Sequence, residues 1–131
     1  MNHIKSVIFS LAVLLTGCVA APNINTSPEE FQPILVGKFP PRDTARMADC
    51  LMDGYERSLA RPFVYTEAKQ HVRATGYRIE LVTAAVQSLI TEVNSSGDLL
   101  LLRTTKWNRI NTEDAEAVAK ACLAKYAAPA N

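Results

Sequence analysis

The sequence is poor in the residues that metal sites, redox centres and disulfide-rich scaffolds need. Its 131 residues include three cysteines and two histidines. Three cysteines are too few for a small domain held together mainly by disulfides. Its five glycines are scattered and form no glycine-rich phosphate loop. The composition therefore predicts neither a bound cofactor nor a metal site.

An excess of charge of either sign is also missing. The chain has 14 Lys and Arg against 13 Asp and Glu, a formal net charge of +1. Proteins that bind nucleic acids usually carry a clustered positive excess, so we expect no nucleic-acid partner. With 48% hydrophobic and 21% charged residues, chain-wide disorder is excluded. The length predicts a single domain.

Arrangements of catalytic residues are equally scarce. Beyond the first few residues the chain has one histidine, His71, in a polar stretch without the glycine pattern of a nucleophile elbow. The acidic residues Glu113, Asp114 and Glu116 fall where we predict a helix to begin, and the helix dipole favours anions there. These patterns predict that the protein is not an enzyme.

What the sequence does have is a recognisable N-terminal segment. Lys5 precedes a nearly apolar run of nine residues, 7–15. A run this short cannot cross a hydrocarbon core of ~30 Å, which needs about 20 helical residues, but it has the length of a secretory signal. The residues that end it, Leu15-Thr16-Gly17-Cys18, resemble the lipobox of bacterial lipoproteins. The alternatives are an ordinary secretory signal with a chance cysteine, and a membrane helix.

The lipobox resemblance implies a processed and lipidated chain. Residues 1–17 would be the signal peptide, and Cys18 would carry acyl chains on its sulfur and on the new amino terminus. By resemblance to enteric-type sorting, Val19 in place of Asp favours the outer membrane, with the protein facing the periplasm. More than one acyl chain gives stable anchoring, so we expect the chain to contact the membrane through its lipid.

Proline separates the next segment from the rest of the chain. Five of the seven prolines fall between residues 19 and 42. We therefore predict that residues 18–42 form a lipidated, extended tether and that residues 43–131 form a single domain. As a coil of 24 residues, the tether would have an r.m.s. reach of roughly 27 Å. Large apolar side chains in residues 31–39 leave two alternatives: this part packs along the domain, or it docks a partner.

Periodicity in residues 43–131 predicts an α+β fold. Apolar residues recur at helical spacing from Asp43 towards Pro62, and again from Asn111 or Thr112 towards Pro129. Between the two helices, four stretches read as strands: 67–73, 77–82, 87–93 and 98–105. We predict a small two-layer domain of order α-β-β-β-β-α, in which both helices lie on one face of an antiparallel meander.

The two remaining cysteines predict a disulfide. With Cys18 lipidated, Cys50 and Cys122 form an even pair in an oxidising compartment, one on each predicted helix. Cys122 lies within the apolar stripe of its helix, whereas Cys50 lies on the flank of its own. A bridge would close a loop of about 73 residues, which chain entropy values at about 4.4 kcal/mol. The alternative is two isolated buried thiols.

The last predicted strand indicates a binding surface. Residues 99–102 are four leucines, apolar on both faces of the strand, although two helices cover only one face of a small sheet. Trp107 between two arginines has the composition of an interface hot spot, the alternative being that Trp107 caps the core. The candidate partner-binding residues are Leu100, Leu102, Arg103, Trp107 and Arg109.

Taken together, these features predict a non-enzymatic lipoprotein that binds another protein in the cell envelope. It would be an accessory of an envelope machine or an inhibitor or immunity protein. One alternative is a purely structural lipoprotein that links membrane and wall. The other is an enzyme acting on the cell wall, which would need two acid–base groups in a cleft. The sequence leaves the oligomeric state open.

Overall fold

The described residues fold into one antiparallel sheet with two helices on one side. The computed structural model describes residues 21–58, 66–105 and 112–127. Five strands pair in the order β1-β5-β4-β3-β2, and every pairing is antiparallel. The elements are β1 (Phe31–Lys38), α1 (Thr44–Ser58), β2 (Thr66–Arg73), β3 (Gly76–Thr83), β4 (Val86–Asn94), β5 (Asp98–Thr104) and α2 (Thr112–Tyr126), with short 3-10 turns at Pro28–Glu30 and Pro41–Asp43.

The predicted α+β class is confirmed, with one strand more than the four expected. Strands β2 to β5 form the predicted meander between an N-terminal and a C-terminal helix. The extra strand, β1, comes from the segment that we predicted to be tether, and it pairs with β5. Of the two alternatives for residues 31–39, packing along the domain is the one observed. The domain therefore begins before residue 43, and the boundary we predicted at residue 42 is too late.

Proline explains why β1 is hard to recognise in the sequence. Pro33 lies inside the strand, and the pairing register shifts between Pro33 and Leu35. A proline removes a backbone donor, which a sheet tolerates at an edge strand or a bulge. β1 is at the edge of the sheet and carries such an irregularity. The strand thus lacks the regular alternation by which the other four strands are predicted.

The meander depends on tight turns between its strands. Ala84 and Ala85 connect β3 to β4 with positive φ angles of 49° and 65°. Left-handed residues at both central positions are the mark of the hairpin turn whose twist matches that of the strands. Gly97, with φ of 91°, ends the turn between β4 and β5. At that position a Cβ would collide with the carbonyl oxygen of Phe39.

The hydrophobic core lies between the helices and the sheet. Tyr55 from α1 reaches into it, and its hydroxyl is 2.8 Å from the Thr91 hydroxyl on β4. Burying side chains of this size is the main source of stability for so small a domain. The fully buried apolar residues of this core are Met47, Leu51, Tyr55, Ile79, Leu81, Leu89, Val93, Leu99, Leu101, Ala115 and Ala119.

A disulfide between Cys50 and Cys122 joins the two helices, as predicted, with Cα atoms 5.9 Å apart. The approach of the helices depends on Gly54, one turn along α1 from Cys50. A Cβ at Gly54 would overlap the side chain of Val118, one turn before Cys122. The glycine therefore lets α1 lie close enough to α2 for a cysteine on the flank of its helix to reach its partner.

Candidate functional site

The face of the sheet opposite the helices is called here the open face. Its apolar side lies at β1 and β5, and its charged side lies towards β2. Directly opposed residues of neighbouring strands share a face, so the strand register defines two rows across it. The first row runs from β1 to β2 through Val36, Leu100, Glu92, Arg78 and His71; the second runs through Pro33, Leu102, Ile90, Glu80 and Lys69. The apolar residues thus lie on β1, β5 and part of β4, and the charged residues lie towards β2.

Residues 21–30, called here the N-terminal clasp, cover part of the apolar side. Ile24 packs against Phe31, Ile90 and the half-buried Leu102. The Ile24 backbone N–H donates to the Gln87 side-chain carbonyl at 2.8 Å. This cluster is separate from the main core and lies on the other side of the sheet. Part of the predicted tether therefore packs on the domain.

A turn and an ion-pair network fix the clasp in place. Within it, the Ser27 backbone N–H donates to the Asn23 carbonyl at 2.7 Å. Arg78 on β3 donates from Nη1 to the Asn25 side-chain oxygen at 2.9 Å, and its Nε pairs with Glu92 on β4. Because Arg78 and Glu92 are only 14% and 16% exposed, this pair is shielded from solvent. The charged side of the open face thus holds one end of the clasp.

The other end of the apolar side is covered by none of the described residues. The side chain of Val36 on β1 is 69% exposed, and its opposite neighbour Leu100 is half-buried. Beside this pair, Lys38 and Asp98 form an exposed ion pair with Nζ and Oδ1 3.0 Å apart. The hydrogen bond from Ser96 and the charge and hydrogen bond of Lys38 hold the pKa of Asp98 below its usual range. Val36 and Leu100 therefore form an apolar patch with a charged border.

A shallow depression lies on the charged side of the open face. It has a volume of about 260 Å³ and is lined by residues that include Asn25, His71, Arg78 and Glu80. Within it, the His71 Nε2 lies 3.4 Å from a Glu80 carboxylate oxygen. Since Arg78 is paired with Glu92, basic and acidic groups oppose one another across this region. Because these basic and acidic side chains oppose one another, they do not give the depression an electrostatic field of a single sign.

The predicted partner-binding residues do not all come together. Leu100 and Leu102 share the open face. Arg103 lies opposite Leu89, a core residue beneath the helices, so it belongs to the helix-covered face. Adjacent residues of a strand point to opposite faces, which separates Arg103 from Leu102 by the thickness of the sheet. Trp107 and Arg109 lie outside the described residues.

Sequence reasoning included Val36, the most exposed residue of the apolar patch, only as one of the apolar residues in the range 31–39. It was assigned to the tether, although the apolar run Ile34-Leu35-Val36 is a signal that a strand could be present. The pairing of Val36 with Leu100 joins residues 64 positions apart in the sequence. Local patterns do not encode such a distant pairing.

The described residues contain few groups arranged for chemistry. Within residues 21–58, 66–105 and 112–127, no three His, Cys, Asp or Glu side chains are grouped as metal ligands. Burial raises the pKa of Tyr55 above its usual value, and the Thr91 hydrogen bond offsets this in part. Tyr55 is fully buried under α1, so its hydroxyl serves packing and has no access to a ligand.

Comparison with known proteins found no relative of this chain. The chain matches no protein-family model, no curated protein and no solved structure at a significant level. In the described part of the chain, no helix combines the length and the apolar character needed to cross a bilayer.

Proposed function

We propose that this protein is a lipid-anchored lipoprotein of the outer membrane that faces the periplasm and binds another protein without catalysing a reaction. The residues Leu15-Thr16-Gly17-Cys18 support the anchor through their resemblance to a lipobox. The Cys50–Cys122 disulfide supports an oxidising compartment, because structural disulfides are rare where thiols are kept reduced. Both features support a location of the domain outside the cytoplasm.

The uneven covering of the open face is the observation that favours a binding role. The N-terminal clasp covers Leu102 and Ile90, yet it leaves the neighbouring Val36 and Leu100 accessible. A small apolar centre bordered by paired charges is how many protein–protein interfaces are built. The border is the Lys38–Asp98 pair on one side and Glu92 on the other.

The complementary partner is a protein that presents an apolar side chain with polar groups around it. Such a side chain would cover Val36 and Leu100, and its surroundings would contact Lys38 and Asp98. The segment after β5 contributes the further candidates Trp107 and Arg109, together with Arg103 on the helix-covered face. We call these three residues, which are grouped by their position in the sequence, the second contact region.

Lipidation is tested at Cys18. We expect a palmitate analogue to label the wild-type chain in cells and the Cys18→Ser variant to remain unlabelled, with uncleaved precursor accumulating. Cys50→Ala/Cys122→Ala is the matched control, because it removes the other two cysteines and should keep the label. Label retained in Cys18→Ser would overturn the anchor.

Binding is tested by charging the apolar patch. We expect full-length Val36→Glu to recover its envelope partner from solubilised membranes at a yield about tenfold below wild type, since a buried, unpaired carboxylate is costly at an interface. Ala117→Glu, an exposed position on α2, adds the same charge elsewhere and should bind like wild type. Equal recovery by Val36→Glu and wild type would exclude this patch.

The second contact region needs its own variant. Trp107→Ala combined with Arg103→Glu should lower recovery of the same partner while the fold, checked by circular dichroism, stays intact. Unchanged recovery by this variant would exclude the region after β5. Failure of the wild-type chain to recover any partner would favour a purely structural lipoprotein over a binding module.

A further inference from the structure

Strand β2 is an edge strand whose outer backbone groups face none of the described strands. Among the described residues it pairs with β3 alone, so alternate N–H and carbonyl groups along its outer side have no strand partner. Its eight residues, Thr66–Arg73, contain no proline or glycine, and the β2–β3 register runs without a shift. Val72 near its end is 78% exposed. A regular, accessible edge of this kind is a template for another strand.

The opposite edge of the sheet is protected in a way that β2 is not. β1 contains Pro33, which has no backbone N–H to donate, and its register is broken next to that residue. Prolines and irregularities are devices by which natural sheets prevent edge-to-edge pairing. The molecule therefore blocks one edge and leaves the other open.

We propose that β2 pairs antiparallel with β2 of a second copy of this chain, so that two five-stranded sheets join into one continuous sheet. The charges of β2 itself favour a second copy of the chain as the pairing partner. Glu67 and Arg73 have opposite charges and lie near opposite ends of the strand on the same face. An antiparallel copy brings each glutamate opposite the arginine of the other chain.

Strand geometry limits the possible registers to a few. A two-fold axis perpendicular to the sheet keeps the helices of both copies on the same side. Residues opposite each other must then share a face, and because side chains alternate with a period of two, the axis must pass through a residue position. Near the middle of β2 the choices are Lys69, Gln70 and His71.

Among these choices, the charged residues of β2 favour a two-fold axis that passes through Gln70. With the axis there, Glu67 lies opposite Arg73 of the second copy. An axis at Lys69 would place that lysine opposite its own copy, and an axis at His71 would place Lys69 opposite Arg73. Like charges directly opposite each other destabilise a strand pair, whereas opposite charges stabilise it.

Apolar residues agree with the same register. An axis at Gln70 places Val72 opposite Ala68 of the second copy on the other face of the strand. Lys69 then lies opposite His71, whose Nε2 is already 3.4 Å from the Glu80 carboxylate, so a balancing negative charge is present. Each pair occurs twice because the interface is two-fold symmetric.

The test uses the full-length chain with two different epitope tags at its C-terminus, expressed together in one cell and solubilised from its membranes. One tag is captured, and the fraction of the other that accompanies it is measured. We expect co-capture of the wild type. Glu67→Arg and Arg73→Glu should each reduce it about tenfold, because each creates two like-charge contacts in the symmetric pair.

Restoration by a charge swap identifies the register. The double variant Glu67→Arg/Arg73→Glu should return co-capture to near the wild-type level, since opposite charges face each other again only when the axis is at Gln70. Glu29→Arg, an exposed position next to the protected edge, is the matched control and should associate like wild type. Formation of the Cys50–Cys122 disulfide, read from resistance to thiol alkylation, shows that each variant is folded.

A cysteine series provides a second, independent readout. A short thiol crosslinker should join two copies most efficiently in Gln70→Cys, because that residue lies opposite itself, and less in Lys69→Cys or His71→Cys. Absence of wild-type co-capture would overturn the proposal. So would single charge variants that associate normally, a double variant that does not recover, or a crosslinking maximum at residue 69 or 71.

Discussion

The two faces of the sheet share the leucine run of residues 99–102, but they differ in how they are covered. Leu101 is fully buried beneath the helices, whereas its neighbour Leu100 is half-buried on the open face beside the exposed Val36. The helix-covered face is sealed by large side chains and a disulfide between helices. The open face has a ten-residue clasp and a set of ion pairs. Strand alternation alone therefore assigns two leucines of one run to different roles.

The difference teaches that stability and interaction are separated in this small domain. On the helix-covered face, removal of atoms leaves cavities, because nothing can move in to fill them. On the open face, the polar contacts of Arg78 with Glu92 and Asn25 hold the clasp, and side chains beside it remain accessible. Changes on the first face should thus alter the free energy of unfolding, and changes on the second should mainly alter binding.

The largest expected effect comes from the bridge on the helix-covered face. Cys50→Ala/Cys122→Ala should lower the free energy of unfolding by up to about 4.4 kcal/mol, because the unfolded chain regains the freedom of a loop of about 73 residues. Urea denaturation followed by circular dichroism measures this loss. Reduction of the wild-type protein should reproduce it. A loss below about 1 kcal/mol would mean that the bridge is not a major constraint.

A matched pair of leucines tests the comparison directly. Leu101→Ala should cost about 3 kcal/mol through the cavity that it leaves in the core, and Leu100→Ala should cost about 1 kcal/mol because its site is already half open to solvent. Both values come from urea denaturation of otherwise identical proteins. Equal losses from the two substitutions would contradict the assignment of roles to the two faces.

The buried hydrogen bond between Tyr55 and Thr91 should give a smaller effect. Tyr55→Phe leaves the Thr91 hydroxyl without its partner under α1, at a cost of about 1–2 kcal/mol. The double variant Tyr55→Phe/Thr91→Val should recover most of that loss, since neither polar group then remains. A double variant as unstable as the two single changes added together would show that the hydroxyls do not act as a pair.

The smallest effect is expected at the exposed border of the apolar patch. The pKa of Asp98 is lowered first by the Ser96 hydrogen bond and then by Lys38. A carboxylate with a depressed pKa in the folded state stabilises the fold above its unfolded pKa, near 4, and this contribution is lost as the pH falls through the folded value. Asp98→Asn should therefore be slightly less stable than wild type at pH 7, and the difference should shrink as the pH falls below the unfolded pKa.

The predicted pH dependence of Asp98→Asn has a matched control. Asp49→Asn removes an exposed carboxylate from α1, away from the apolar patch, and is the matched substitution. Chemical denaturation at a series of pH values gives both curves. A difference between Asp98→Asn and wild type that stays the same across the whole acidic range would show that the carboxylate charge is not responsible.

Much of the fold could be predicted from local patterns, and the parts that were missed share one cause. The meander was indicated by four strand-like stretches between the helices, and both helices by their apolar spacing. β1 was missed because Pro33 interrupts its alternation and its partner, β5, is distant in the sequence. A strand of this kind is defined by what it pairs with, which a local pattern does not contain.

The candidate site was predicted less completely than the fold. The two-sided apolar character of residues 99–102 identified an open face correctly, because strand alternation requires it. Alternation also places Arg103 and Leu102 on opposite faces of the sheet, which the composition of the segment does not indicate. Val36 could be found only once β1 was known to be a strand.

The attachment of Ile24 to the open face has a consequence for where the domain can go. Ile24 lies only six positions after Cys18, and a chain of that length spans at most about 20 Å when fully extended. The predicted tether of 24 residues would have allowed about 80 Å. With Cys18 acylated as we propose, the domain is held close to the lipid headgroups and moves only within a thin layer over the bilayer. Its encounters are then with neighbours in the same membrane plane, at a local concentration set by that layer.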